Sequence, residues 1–163
     1  MDFEMGSGAL GDGSLGMEYQ LWQSAYVDGS IVVGPVGGTL VPILAVPDVV
    51  RTALAFDLNM RTYLAYTVGT GSFFHWYDTL SNSMATLPLP GSTDVCLTLD
   101  DHREVSSNTS DIIVSYSRNG QLYCRVQRER FQTEHLLTSD MQGSAIINMG
   151  MTIANRLEWR ILP

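Results

Sequence analysis

The chain of 163 residues carries 9 Lys+Arg against 17 Asp+Glu, a net charge of −8, and every cation is Arg. A surface of that sign repels phosphate backbones and anionic lipid headgroups, which argues against nucleic-acid binding, and the absence of Lys removes Schiff-base and Walker-type lysine chemistry. A hydrophobic share of 45% supports a buried core rather than wholesale disorder, and no apolar run reaches the about 18 residues of a membrane span.

Taken in order, residues 1–18 hold Gly6, Gly8, Gly11, Gly13 and Gly16. That density opposes helix and stable strand and predicts an extended or flexible arm, with Met5, Leu10, Leu15 and Met17 as spaced anchors for a partner chain. No basic or apolar leader segment is visible in this stretch, so no secretory signal is expected. Residues 19–28 have the only helical period, from Tyr19, Leu21, Trp22, Ala25 and Tyr26, and fit a strand equally well. Gly29, Gly34, Pro35, Gly37, Gly38, Pro42 and Pro47 then interrupt two short apolar runs. Residues 1–48 therefore read as arm and linker, and 49–163 as a β-rich domain.

From Val49 short β-rich runs alternate with turn signals. They are Val50–Asp57, Thr62–Val68, Ser72–Asp78, Met84–Leu87, Val95–Leu99, Ile112–Ser117, Leu122–Gln127, Phe131–Leu137, Ser144–Met149 and Arg156–Leu162. Asn119-Gly120 is the strongest hairpin signal, since both positions tolerate the positive φ of a type I′ turn. It sets Arg118 opposite Gln121, Ser117 opposite Leu122 and Tyr116 opposite Tyr123. Asn59-Met60 and Gly69 to Gly71 mark two further turns. The stretch Tyr66–Phe74 can be laid over Tyr116–Tyr123, about 50 residues later, near the period of a propeller blade. The predicted fold class is all-β: antiparallel β-meander, sandwich or propeller-blade-like sheets, with an extended Gly-rich N-terminal arm.

Chemistry-bearing clusters are sparse. Asp100-Asp101-His102-Arg103-Glu104 is the densest ionisable group, but extended neighbours point to opposite faces and no calcium-loop spacing is present, so a polar loop is expected. Cys96 and Cys124 form no zinc pattern and read as buried thiols; alternation puts Cys124 on one apolar face with Leu122 and Val126. In Phe73-Phe74-His75-Trp76-Tyr77 the aromatics fall on both faces of a strand, suited to burial between sheets, to a subunit interface or to ligand stacking. Arg125, Arg128 and Arg130, interleaved with Glu129 and Glu134, suggest cross-strand ion pairs on an exposed face. No catalytic motif, metal or cofactor is expected.

Three blocks carry a resemblance. The first runs from Ala55-Phe56-Asp57-Leu58-Asn59-Met60-Arg61 through Leu64-Ala65-Tyr66 to His75-Trp76-Tyr77-Asp78. The second joins Leu97–Arg103, Thr109–Ile113 and Asn119–Phe131, and the third joins Gly150-Met151-Thr152 to Asn155–Arg160. In this order they resemble a group of tailed-bacteriophage virion proteins, over residues 50–162. The resemblance implies a structural protein of the tail, from the baseplate or tail-fibre attachment region, made in the host cytoplasm and assembled into the virion. It implies other virion tail proteins as partners, brings no catalytic residues, and implies Gly where this chain has Met60; the aromatic run 73–77 and two blade-like segments that cannot close alone add copies of the chain as expected partners. The assembly surface is then expected at Phe73, Phe74, Trp76 and Tyr77, with Trp22 and the arm residues Leu10 and Leu15. The alternative is a lectin-like β module for host surface glycans, which would need Trp76 or Trp22 exposed at a pocket rim.

Overall fold

A computed structural model describes residues 6–10, 20–57, 59–69, 71–101, 110–151 and 157–162. Among these the chain forms fourteen strands, one 3-10 turn at Gln127–Glu129 and no α-helix. The strands are β1 (Gly6–Leu10), β2 (Gln20–Val27), β3 (Ser30–Pro35), β4 (Val41–Ala45), β5 (Arg51–Phe56), β6 (Thr62–Val68) and β7 (Gly71–Asp78). They continue with β8 (Ser83–Pro90), β9 (Thr93–Asp101), β10 (Ser110–Arg118), β11 (Gln121–Val126), β12 (His135–Thr138), β13 (Ala145–Met151) and β14 (Leu157–Leu162). Consecutive strands pair antiparallel into three four-stranded meanders, β1–β4, β5–β8 and β9–β12, followed by the pair β13–β14.

The four sheets stack face to face and come closest along their first strands: β1 lies on β5, β5 on β9 and β9 on β13. Small side chains permit that approach. Ala53 and Ala55 on β5 are buried toward the third sheet, while Phe74 and Trp76 on β7 meet it further out. The Arg51 guanidinium, at the start of β5, reaches across to donate to the Ile146 carbonyl of β13 at 2.7 Å and to Cys96 Sγ at 3.0 Å. Sheets close along one margin and wider at the other sit like adjacent propeller blades.

Each gap between sheets holds its own core. Ile31 and Val33 meet Leu54, Phe56, Leu64 and Tyr66 in the first. Tyr63, Ala65, Phe74 and Leu89 meet Val95, Leu97, Ile112, Val114 and Tyr116 in the second. Cys96, Ile113, Leu122 and Cys124 meet Ile146 and Met149 in the third. The second and third sheets are covered on both faces, so their central strands are apolar almost throughout rather than alternating; β6 is buried at five successive residues. Cys96 and Cys124 are free, buried thiols.

The Asn119-Gly120 turn has φ of 54° and 71°. The flanking register sets Arg118 with Gln121, Ser117 with Leu122 and Tyr116 with Tyr123, as the turn chemistry requires. Asp28-Gly29, at φ 48° and 79°, makes the same kind of turn between β2 and β3.

Of the two readings open for residues 20–27, the strand is the one found: the Asp28-Gly29 turn pairs them with β3, and Ser24 Oγ bonds Thr52 Oγ1 at 2.9 Å in the second sheet. Three expectations are corrected. Gly6–Leu10, expected as an arm without stable strand structure, pairs with β2, whose ladder hydrogen bonds offset the entropy lost by its glycines. The segment assigned as arm and linker thus contains a whole sheet; Met5, Leu15 and Met17 lie outside the described residues. Asp100 and Asp101 end β9 rather than forming a loop, and residues 102–109 lie outside the described ones. Phe131 belongs to a turn, and β12 starts only at His135.

Candidate functional site

The short β12 shapes the site. Its four residues cannot cover the eight-residue strand β8 across the gap, so the outer margin of the second sheet is left to the turn 127–134. Between them is a cleft of about 430 Å³, its wall from the second sheet formed by Arg61, Trp76, Asp78 and Ala85, and the opposite wall by Arg130, Phe131 and Gln132. Trp76 sits between Tyr63 and Ala85 in register. Ala85 is too short to fill the space beside the indole, so the cleft opens there.

The floor is rigid. Phe74 stacks on Trp76 with centroids 4.8 Å apart, and Phe131 meets both edge-on at 4.6 and 5.2 Å. Placing Phe131 there requires two successive residues in left-handed backbone, Arg130 at φ 55° and Phe131 at φ 59°. Such residues without a turn glycine cost about 1–2 kcal/mol each and must be held by their surroundings. Arg125 supplies that hold, donating to the carbonyls of Phe131 and Gln132 at 2.8 and 2.9 Å and to Tyr116 Oη at 3.0 Å. Glu134 closes the network, accepting from Tyr116, Arg118 and Arg125. Burial, followed by the hydrogen bond to Glu134, pushes the Tyr116 hydroxyl up to about 12. Burial alone would raise Glu134, but the bonds from Tyr116 and Arg118 and the two arginine charges outweigh it and hold the carboxyl below its ordinary range.

A second set of bonds fixes the other wall. Asp57 Oδ1 accepts from the backbone N–H of Asn59 and Arg61 at 2.8 and 3.0 Å, an arrangement that fixes the β5–β6 turn. Met60 takes φ 64° in this turn, a conformation that glycine adopts more readily. Gln127 Nε2 donates to Tyr63 Oη at 2.8 Å and its Oε1 accepts from the Ile112 N–H at 2.9 Å, tying the second sheet to the third. Burial, with the neighbouring Asp57, pushes the Tyr63 hydroxyl up to about 12. The mouth carries charge: Arg61 lies 3.9 Å from Asp57, and Arg130 lies 3.6 Å from Asp78. Asp78 accepts from the Leu80 N–H at 3.1 Å and from Ser81 Oγ at 2.9 Å.

The aromatic run expected as an assembly surface divides. Phe74 is wholly buried within the chain and offers nothing to a partner. Phe73 and Trp22 pack on the first core, where Trp22 meets Phe56 edge-on at 5.7 Å. Trp76 and Tyr77 line the cleft. Leu10 lies on β1, the sheet's edge strand. The Arg-rich segment is built of ion pairs as expected, with Arg128 on Asp111 at 2.6 Å, but Arg125 is mostly buried and spends its donors on the turn. Sequence reading missed Arg61, Arg130, Asp78 and Gln132 as a group; the Asp57–Arg61 turn was the visible signal, and only the stacking of the sheets joins the rest to it. No three His, Cys, Asp or Glu among the described residues are placed to hold a metal. No family model, no curated protein and no solved structure matches the chain.

Proposed function

We propose that this chain is a structural component of a bacteriophage tail, from the baseplate or tail-fibre attachment region, acting by protein–protein assembly rather than catalysis. The ordered sequence blocks of residues 50–162 support the reading. The observation that carries it in three dimensions is apolar surface at the margins of the stack. Edge strand β4 exposes Val41 and Ile43, and β14 exposes Ile161 and Leu162. Exposed strands of that composition template pairing with another chain unless something covers them. The partners are other tail proteins and copies of this chain. Immunogold labelling and mass spectrometry of purified particles test the assignment: label confined to the tail supports it, and absence of the chain from intact particles overturns it. Light scattering of the purified chain adds the oligomeric state, and a monomer at micromolar concentration contradicts self-association.

A second reading, a lectin-like module for host surface glycans, is favoured by one observation. Trp76 lines a cleft beside arginine, aspartate and glutamine side chains. An aromatic face with planar polar groups around it suits a sugar ring, whose C–H face stacks while its hydroxyls bond at the edge.

A further inference from the structure

We infer that the cleft between the second and third sheets selects an acidic sugar, a terminal pyranose bearing one carboxylate, with its ring on Trp76 and its carboxylate between Arg61 and Arg130; this rests on the glycan-binding reading.

The cations carry the inference. Arg61 and Arg130 face the cleft from opposite walls, one on the β5–β6 turn and the other on the strained turn after β11. Each has one carboxylate nearby, at 3.9 and 3.6 Å, beyond good hydrogen-bond distance. Those carboxylates are already occupied. Asp57 accepts from two backbone N–H groups and from Tyr63 Oη, and Asp78 accepts from Leu80 and Ser81. The two guanidinium groups therefore keep donors to spare, with side chains 43% and 62% exposed. Arg125, by contrast, commits its guanidinium to four hydrogen bonds. Two loosely paired arginines thus offer donors across one cleft, with Asp78 the carboxylate among the same lining residues.

The same charge balance limits the ligand. A densely charged polyanion would meet the overall negative field and Asp78 at the cleft wall, whereas a single carboxylate can sit between the two arginines. Arginine forks suit a planar carboxylate. The volume of about 430 Å³ falls within the about 300–1,000 Å³ usual for small-ligand sites. Gln132, whose carbonyl is held by Arg125, presents an amide at the same wall.

Isothermal titration of the full chain with 3′-sialyllactose, a glucuronic-acid-terminated disaccharide, their methyl esters, lactose and triglutamate tests the inference. The two acidic sugars should bind at least about tenfold more tightly than their esters, and Arg61→Gln and Arg130→Gln should each remove about tenfold of that difference, the worth of a charge-assisted bond. Both variants change exposed side chains, so the fold is retained, and circular dichroism checks this. Trp76→Phe should weaken acids and esters alike. Equal binding of acids and esters, unchanged in the arginine variants, overturns the acidic preference and leaves the glycan reading standing. No binding by any sugar overturns both. Triglutamate binding as tightly as the acidic sugars, with the same arginine dependence, also overturns the proposal, because the site then recognises acidic peptide.

Discussion

The gap between the second and third sheets is two different environments. Along β5 and β9 it is closed by small residues, Ala53 and Ala55 against Val95 and Leu97, and the backbones lie against one another. Along β7 and β8 it is wider, filled by Phe74 and Phe131, and beyond Trp76 it opens into the cleft. The gap between the first and second sheets widens in the same direction, and there Trp22, Phe56 and Phe73 pack into the core. A widening stack must fill its outer margin with large side chains or leave a cavity. The second gap does the first as far as Trp76 and the second beyond it.

The largest expected effect probes the filled part. Phe74→Ala removes a wholly buried ring touching both Trp76 and Phe131 and should cost about 3–5 kcal/mol. Thermal denaturation should show a fall of about 10 °C. Trp76→Ala, at the open margin, should cost less than half as much; equal costs would abolish the distinction between filled and open margins.

Glu134→Gln probes the support of the cleft wall and should cost about 2 kcal/mol at neutral pH, since three donors lose a charged acceptor. The folded carboxyl is held below its ordinary range. Its stabilising contribution is therefore fully present above the usual carboxylate range and lost as pH falls through the lower folded value. Denaturant titrations of both proteins should accordingly converge in acid, and a gap independent of pH would contradict the network.

Gly120→Val tests a turn remote from the cleft. Its φ is 71°, and an added Cβ would stand 3.1 Å from Gln142 Cγ, so a loss of about 1–2 kcal/mol is expected in chemical denaturation, with sugar binding unchanged. The smallest effect is a gain: Met60→Gly relieves a left-handed residue in the turn that carries Arg61 and should stabilise by about 0.5–1 kcal/mol, measured as a higher melting temperature.

Most strands were legible because their limits are set locally. β6 coincides with its sequence expectation, and Asn119-Gly120 specified both its turn and the register beyond it. Asp28-Gly29 carries the same turn signal and identifies β2 as half of a hairpin; the spacing of Leu21, Trp22, Ala25 and Tyr26 obscured it because that strand buries residues on both faces. Buried strands of this kind lose the alternation that separates strand from helix. The cleft was not legible. Arg61 and Arg130 are 69 residues apart in a chain numbered as here, and they face one another only because the sheets stack and Arg125 holds an improbable turn in place. Phe131 read as a strand residue since nothing local announces two consecutive left-handed residues without glycine.

The contrast between closed and open margins is tested most directly by thiol accessibility. Ala55→Cys places a thiol in the closed part of the gap and Ala85→Cys places one beside Trp76. Native Cys96 and Cys124 are buried and serve as internal controls. Maleimide labelling followed by mass spectrometry should modify Cys at position 85 in the folded protein while position 55 and both native thiols react only after denaturation. Equal labelling of positions 55 and 85 under native conditions would contradict the arrangement of the sheets and the cleft together.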